Sequence, residues 1–328
     1  MRLSIVVPVF NEEAVLPLLF ARLYPVLDET GVTYEVVFVD DGSADRTMAL
    51  LSEQFERRPT VTQVVRLARN VGQHLAILAG LECVRGDYAI TIDADLQNPP
   101  SEIPRVLAAL ETGADYVGTV RRSRHDAWWR CIASRVLNRV RERTTRIRLT
   151  DQGCMLRAYD RRIVGLLTSS RETNTFIPAL AYTFARHPVE IVVEHEQRAA
   201  GRSKYSFARL TRLNFDLMTG FSLAPLQAFS VAGVAIALAS IAFVGYLAVR
   251  RLVVGPEAEG VFTLFGIAFF LIGVLLLGLG IVGEYIGRIY DQLRDRPRYV
   301  VAAVLSTPAI RPTSMSNVAT IPTRESLS

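Results

Sequence analysis

The sequence predicts an α/β domain, a mainly parallel sheet with helices on both faces, followed by two helices that cross a membrane. Three observations predict it. Strand-like and helix-like stretches alternate through residues 1–200. The acidic residues of that region gather where its strands end. Two long runs near the C-terminus carry no charge at all.

The alternation is read in order. LSIVVPVF is an apolar strand and EEAVLPLLFARLYPVL a helical stretch. YEVVFVD is a strand, then SADRTMALLSEQFERR is helical. VTQVVRL and VGQHLAILAGLECVRG repeat the pair. DYAITID and SEIPRVLAALETG repeat it again, and DYVGTVR adds a further strand. Such repetition gives a parallel sheet covered on both faces, and sheets of this kind bind ligands outside the carboxyl ends of their strands. Ser43 and Ser101 stand where N-caps are expected. No GxGxxG follows the first strand, so the phosphate loop of a dinucleotide-binding dehydrogenase is missing.

The chain has 328 residues, half of them hydrophobic, with a formal net charge of +5. Nothing charged stands between Asp216 and Arg250, or between Glu259 and Glu284. Each run exceeds the roughly 20 apolar residues a spanning helix needs. Spans are expected at about Pro225 to Val249 and Val261 to Gly283. Buried core helices seldom run so long without a charge. Arg198, Arg202, Lys204, Arg209 and Arg212 precede the first span, and Arg288, Arg294, Arg296 and Arg298 follow the second. The positive-inside rule therefore puts both termini in the cytoplasm, against Arg250 and Arg251 in the short outer loop. The N-terminal MRLSIVVPVF runs straight into a strand and does not read as a signal peptide. Cys83, Cys131 and Cys154 have no metal-ligand spacing, and their odd number implies no disulfide framework. With a membrane anchor, the basic charge points to lipid headgroups and phosphorylated substrates, not to nucleic acid.

The expected organisation is a catalytic domain at 1–200, an interfacial helix at 201–222, and two spans with a short loop at 223–286. A helix and strand at 287–305 and a disordered tail at 306–328 complete it. The stretch YSFARLTRLNFDLMTGF mixes aromatics and arginines at helical spacing, as a helix lying on a bilayer does. Trp128 and Trp129 belong to a second amphipathic stretch and are read as packing or interfacial residues. Gly283 and Gly287, with Ala228 and Ala232, give small-xxx-small spacing, a signal for helix association.

The acidic strand ends carry the chemistry. The first strand ends in Asn11-Glu12-Glu13, the second in Asp40-Asp41-Gly42-Ser43, the fourth in Asp93-Ala94-Asp95. In a strand, residues i and i+2 face the same side, so Asp93 and Asp95 would repel unless a cation joined them. Mg²⁺ takes one or two carboxylates together with substrate phosphate oxygens, and a pyrophosphate-linked donor would arrive with that ion. The ion would stabilise charge on the departing diphosphate.

PVFNEE, DDGSADRT and DADLQNPP, in this order at these strand ends, resemble family 2 glycosyltransferases of the GT-A fold. The resemblance implies that Pro8, Phe10, Asn11, Glu12 and Asp41 hold the uridine part of a UDP-sugar. Asp93 and Asp95 would face the diphosphate and a Mg²⁺ or Mn²⁺ ion. TDQGCMLRAYDRR, QRAAGRSKYS and EYIGRIYDQLRDRPRYV are similar to the branch that glycosylates polyprenyl phosphates. NVGQHLAILAG, DYVGTVRRSRHDAWWR, TFIPALA and GPEAEGVFTLF are similar to the subgroup that moves 4-deoxy-4-formamido-L-arabinose to undecaprenyl phosphate, for lipid A modification and polymyxin resistance. The resemblance also implies a bacterial inner-membrane protein assembled as a homotetramer. RTTRIRLTDQGC departs from that pattern, with Gln152 where an aromatic is expected. Glucosyl and N-acetylhexosaminyl donors are the alternatives.

A phosphomonoester acceptor is mostly a dianion at pH 7, so it is already a nucleophile and needs no strong base. It needs a cationic pocket. Arg198, Lys204 and Tyr205, in RAAGRSKYS, are the candidates. Arg offers a bidentate fork and Lys a point charge, and Gly201 would let the backbone approach. Arg202, Arg209 and Arg212 are read as ordinary headgroup-attracting residues. The resemblance places Asp151 beside the anomeric carbon, as base or as orienting group, and in-line attack would invert that centre. His74 reads equally as a donor contact and as a surface histidine at a helix start. Two rivals remain. A processive polysaccharide synthase lacks support because no QxxRW is present, and a non-catalytic sugar-nucleotide-binding scaffold is opposed by Asp93, Asp95, Asp151, Arg198 and Lys204 standing together.

Overall fold

The computed structural model describes residues 2–121, 149–151, 153–170, 176–196, 223–254, 261–293 and 297–307. Arg198, Lys204 and Tyr205, the expected interfacial helix, Trp128, Trp129, Cys131, Gln152 and the tail after residue 307 lie outside the described residues. The chain forms two units, one built on a sheet and one on a pair of long helices.

The sheet unit begins β1 (Arg2–Val9), α1 (Leu16–Glu29), β2 (Thr33–Asp40), α2 (Thr47–Arg57), β3 (Thr62–Leu67), α3 (Gln73–Cys83), β4 (Tyr88–Thr91). A short turn of 3₁₀-helix precedes α4 (Ile103–Glu111) and β5 (Tyr116–Arg121). After residue 148 come β6 (Arg157–Asp160), α5 (Arg161–Ser169), α6 (Ile177–Phe184) and β7 (Pro188–Val193). With β8 (Val301–Leu305), the eight-stranded sheet has the order β7-β5-β6-β4-β1-β2-β3-β8. Its centre, β4-β1-β2-β3, is parallel as expected. β6 runs antiparallel between β4 and β5, and β8 (Val301–Leu305) runs antiparallel along β3.

Alternation in β1 sorts the faces. Leu3, Ile5, Val7 and Val9 share one apolar cluster with α1, Leu51 of α2 and Val106 and Leu110 of α4. α1 supplies Leu16, Leu19, Leu23 and Leu27, the three- and four-residue spacing of a single helical stripe. α3 covers the opposite face. It is apolar on every side, and a Cβ at Gly80 would stand 2.4 Å from Val6 Cγ1 and 2.9 Å from Val39 Cγ2. Pro8 sits in the central strand without cost. Val6 turns its carbonyl to β4, where Ile92 donates to it. Pro8, two residues on, faces the same side, where β4 has already ended at Thr91. At the far end of the sheet, nearly buried Glu35 accepts from Ser4 Oγ (2.7 Å), Arg2 Nη2 (2.9 Å) and Arg85 N (2.7 Å).

Helix starts differ from the sequence reading. α1 begins at Leu16, not Glu12, and α2 at Thr47, not Ser43. The intervening residues are used in loop-to-loop hydrogen bonds. Ser43 caps nothing; its hydroxyl accepts from Asn11 N (2.9 Å). Ser101 lies inside the 3₁₀ turn, which has no side-chain cap.

The second unit contains α7 (Ala224–Val254) and α8 (Val261–Leu293). At 1.5 Å per residue each is about 45–50 Å long, beyond the roughly 30 Å of hydrocarbon in a bilayer. Leu226–Phe243 and Ile267–Gly287 are the apolar windows, with mean hydropathies of 2.0 and 2.4. Residues such as Val231, Leu238, Phe269 and Leu276 are exposed. α8 runs unbroken through Arg288 to Leu293, so the helix expected after residue 287 is its continuation, while the expected strand is β8. The small-residue contact also differs. A Cβ at Gly283 or Gly287 would meet nothing within 4 Å, whereas at Gly278 it would lie 2.1 Å from Phe229 Cζ. The notch between these helices is Gly278, and a phenyl ring fills it.

Gly80→Ala is expected to lower the midpoint of thermal unfolding in detergent, at about 1–3 kcal/mol for an overpacked site. An unchanged midpoint would mean that α3 can lift from the sheet freely.

Candidate active site

Three loops at the carboxyl edge of the sheet are tied to one another. Asn11 adopts φ 53°, a left-handed conformation that asparagine tolerates better than most residues. This turns its side chain onto the next loop, where Oδ1 accepts from Ala44 N (2.9 Å). Glu12 N donates to Thr47 Oγ1 (2.9 Å), and Glu13 accepts from Arg46 N (3.0 Å). Phe10 stays exposed beside this seam. The β1 and β2 loops thus form one wall, with Pro8, Phe10, Asn11 and Glu12 along it.

Asp41 ties in the third loop. Its two carboxylate oxygens accept from Val71 N (2.8 Å) and Gly72 N (2.9 Å), just before α3. Gly42, at φ +73°, allows the approach, because a Cβ there would lie 2.7 Å from the Arg69 carbonyl carbon. Asp41 is almost fully buried. Burial pushes its carboxyl above the usual range, against the pull of the two backbone N–H groups, and Asp40 adds to the rise. The next residue, Gln73, donates from Nε2 to Asp93 Oδ1. A short path of bonded groups therefore joins the β2 loop to the acidic turn.

β4 ends at Thr91, so Asp93 and Asp95 stand in a turn beyond the strand, and strand alternation does not govern them. Asp93 is partly exposed and Asp95 nearly buried. Asp95 Oδ1 accepts from Gln97 N (3.1 Å), and Leu96 between them takes φ 61°. For a leucine that conformation costs about 1–3 kcal/mol. The turn is held from its far side, where Glu196 N donates to Gln97 O (2.9 Å) and Cys154 Sγ lies 3.2 Å from Asn98 Oδ1. Two carboxylates on one turn fit a cation that keeps water and shares phosphate oxygens. No cluster of three acidic, histidine or cysteine ligands exists among the described residues.

Asp151 is 3 % exposed and forms a two-point ion pair with Arg121 at the end of β5: Oδ2 to Nε 2.6 Å, Oδ1 to Nη2 2.9 Å. Gly153 N also donates to Oδ1 (3.1 Å). A Cβ at Gly153 would stand 2.9 Å from Arg121 Nη2, so glycine makes room for the pair. The sequence reading named Asp151 and did not name its partner Arg121. It also missed His195. Desolvation lowers the His195 pKa and Arg121 lowers it further, while Asp151 and Asp95 act in the other direction. The next residue, Glu196, donates from its backbone N to Gln97 O (2.9 Å), which brings this segment to the acidic turn. The His195 Nδ1 is buried with no hydrogen-bond partner among the described residues. The sequence signal was its position three residues before Arg198, inside a charged run.

The model of the family described as Glycosyl transferase family 2 matches residues 4–166. Over 304 residues the chain is 47% identical to the undecaprenyl-phosphate 4-deoxy-4-formamido-L-arabinose transferase of Edwardsiella ictaluri (strain 93-146), covering 92% of this chain and 94% of that one. The chain belongs to glycosyl transferase family 2. The matched span of this family 2 glycosyltransferase runs from β1 into α5 and takes in Asp41, Asp93, Asp95, Arg121 and Asp151. Solved structures similar to it include mannosyl-3-phosphoglycerate synthase from Rubrobacter xylanophilus, at 15% identity over 67% of this chain and 72% of that one, TM-score 0.48. Glucosyl-3-phosphoglycerate synthase from Mycobacterium tuberculosis, in complex with Mg²⁺ and uridine diphosphate, is similar at 17% identity over 68% and 78%, TM-score 0.48.

His74 stands in the first turn of α3 and is partly buried. Its ring stands edge-on to Phe176 at 4.9 Å, and Nδ1 is buried with no hydrogen-bond partner among the described residues. Desolvation pushes its pKa down to about 4, and Arg157 adds to the fall. The folded protein keeps this ring neutral, whereas the unfolded chain binds a proton below about pH 6.5. Stability is therefore lost as pH falls from about 6.5 to 4. Thermal unfolding of His74→Gln at pH 7 and pH 5 should show a smaller acid loss than the parent protein; an identical loss would remove His74 from the account. Gly153→Ala should lower glycosyl-transfer turnover by about tenfold or more through displacement of Arg121, as a mispositioned group does, with UDP binding by calorimetry unchanged.

Proposed function

We propose that this family 2 glycosyltransferase moves 4-deoxy-4-formamido-L-arabinose from its UDP donor to undecaprenyl phosphate, in the service of lipid A modification. The observation that carries the proposal is the extent of the similarity to the Edwardsiella ictaluri transferase: it covers 92% of this chain and so includes sheet and long helices alike. Two helices long and apolar enough to cross a bilayer suit a lipid-linked acceptor. The proposed setting is the inner membrane, with sheet and termini on the cytoplasmic side, and assembly as a homotetramer belongs to the same reading on family resemblance alone.

In this reading the wall of Pro8, Phe10, Asn11 and Glu12, closed by Asp41, receives the uridine. Asp93 and Asp95 would hold Mg²⁺ or Mn²⁺ with the donor diphosphate. Gln73 occupies one oxygen of Asp93 and the Gln97 amide one of Asp95, which fixes the direction of both carboxylates. The bound ion supplies charge neutralisation for the departing diphosphate. A phosphate oxygen of the acceptor attacks the anomeric carbon. The bond from that carbon to the diphosphate oxygen breaks, UDP leaves with the electron pair, and the anomeric centre inverts. No proton need be removed from a phosphate dianion.

The geometry favours one of the two roles left open for Asp151. Both of its oxygens are engaged by Arg121, and one also by Gly153 N. A carboxylate held this way is a weak base and a strong orienting group. Asp151 fixes the Arg121 guanidinium at the strand edge, where it stabilises negative charge during transfer. Arg198, Lys204 and Tyr205 are assigned to the acceptor phosphate on family resemblance.

The test is transfer by the purified full-length protein with Mg²⁺ and undecaprenyl phosphate, offering the UDP-linked formamido-arabinose and UDP-glucose in parallel. Product from the first donor alone is expected; product from glucose alone would overturn the sugar assignment. Asp95→Ala should reduce turnover by about 10²-fold or more, the scale of losing an electrostatic stabiliser. Near-parental turnover in that variant would remove Asp95 from the mechanism.

A further inference from the structure

A buried cation that the scheme above does not use lies directly beneath Asp151. Arg157, the first residue of β6, is 0% exposed. Its Nε donates to the Cys154 carbonyl (2.9 Å), Nη2 to the Asp151 carbonyl (2.7 Å), and Nη1 to the Tyr116 hydroxyl. Among the described residues no carboxylate comes within ion-pair distance of it. A guanidinium cannot shed its proton, and a buried charge without a counter-ion is costly to keep. An aliphatic side chain would fill the same space without that cost, so packing alone does not explain an arginine here.

Its contacts explain it. The two carbonyls it grips belong to Cys154 and to Asp151 itself, whose carboxylate meets Arg121. Glu190 holds the residue just before Asp151, accepting from Thr150 N (3.0 Å) and Thr150 Oγ1 (2.5 Å). Gly118 in β5 lies beneath both holders. A Cβ there would come 3.3 Å from Glu190 Cγ and 3.4 Å from Arg157 Nη1. The bare backbone at this point lets Arg157 reach Asp151 and Glu190 reach the adjacent Thr150 from below.

We propose that Arg157 is a positioning residue for glycosyl transfer: its planar fork holds the Asp151 and Cys154 carbonyls, and through them the angle at which Asp151 presents Arg121. The inference rests on the orienting role given to Asp151 above. Lysine cannot replace the fork, because a point charge reaches one carbonyl and not two in a fixed plane.

The test is a double-mutant cycle in the full-length protein, with Asp151→Asn, Arg157→Lys and the pair, measured as kcat and donor KM. Asp151→Asn alone should lower kcat about 10²-fold. Arg157→Lys alone should lower it about tenfold with donor KM unchanged, because the uridine wall is built from other loops. In the Asp151→Asn background Arg157→Lys should cost less than twofold, since residues acting as one unit are not additive. Full tenfold losses in both backgrounds would make Arg157 a merely structural residue and overturn the inference. Near-parental kcat in Asp151→Asn would instead overturn the role of Asp151, and the inference with it. If circular dichroism or UDP binding shows that Arg157→Lys does not fold, Tyr116→Phe takes its place. That change frees one guanidinium nitrogen and should cost about threefold in kcat, again only when Asp151 is intact; an equal loss in both backgrounds, or none in either, overturns the inference.

Discussion

The Asp41 carboxylate, nearly out of water, accepts from two successive backbone N–H groups at the start of α3. Three loops would otherwise diverge from the ends of β1, β2 and β3. Asp41 closes the β2 loop onto the third, and Asn11 and Ser43 close the first onto the second. Gln73 then follows directly in the chain and reaches Asp93. The groups assigned to uridine and the groups assigned to the diphosphate are thus set by one connected path. A carboxylate that accepts from backbone amides can be buried at tolerable cost. That is how the edge keeps acidic residues in place before any ligand binds.

A second set of buried polar groups governs the other half of the edge. Arg157 and Glu190 grip Asp151 and Thr150 from beneath, and Cys154 bridges Thr119 and Asn98. Cys154 and the acidic turn of Asp95 are therefore coupled through side chains and not only through the sheet. Burial pushes the Cys154 thiol pKa up, so it serves here as a small polar bridge and stays protonated. The left-handed Leu96 and the orphaned His195 nitrogen lie in this same region.

Much of this could be read from the order of the residues. Alternating apolar strands gave the parallel centre, and a proline at position 8 was no obstacle because β4 ends before it. The acidic strand ends marked the edge, since so many carboxylates have no reason to gather there unless something cationic joins them. The residues that escaped reading did so for a common reason. Arg121 is a basic residue at a strand end, one of many arginines, until Asp151 is seen to hold it at two points. Arg157 sits in LRAYD like any polar residue of a strand, and nothing local reveals that it is wholly buried. Ser43 was expected to cap a helix and instead receives the Asn11 amide, because its partner is 32 residues away.

By itself the sequence determined the strands and helices of the parallel centre, the acidic edge, and the two membrane-length helices. These follow from periodicity and charge, which are properties of neighbouring residues. The tertiary structure decided which way β6 and β8 run and that α8 continues to Leu293. It also decided that Gly278, not Gly283 or Gly287, receives a partner side chain. It alone paired Asp151 with Arg121 and set Arg157 beneath them. Such pairings depend on distances between residues far apart in the chain, and only the packed sheet fixes those distances.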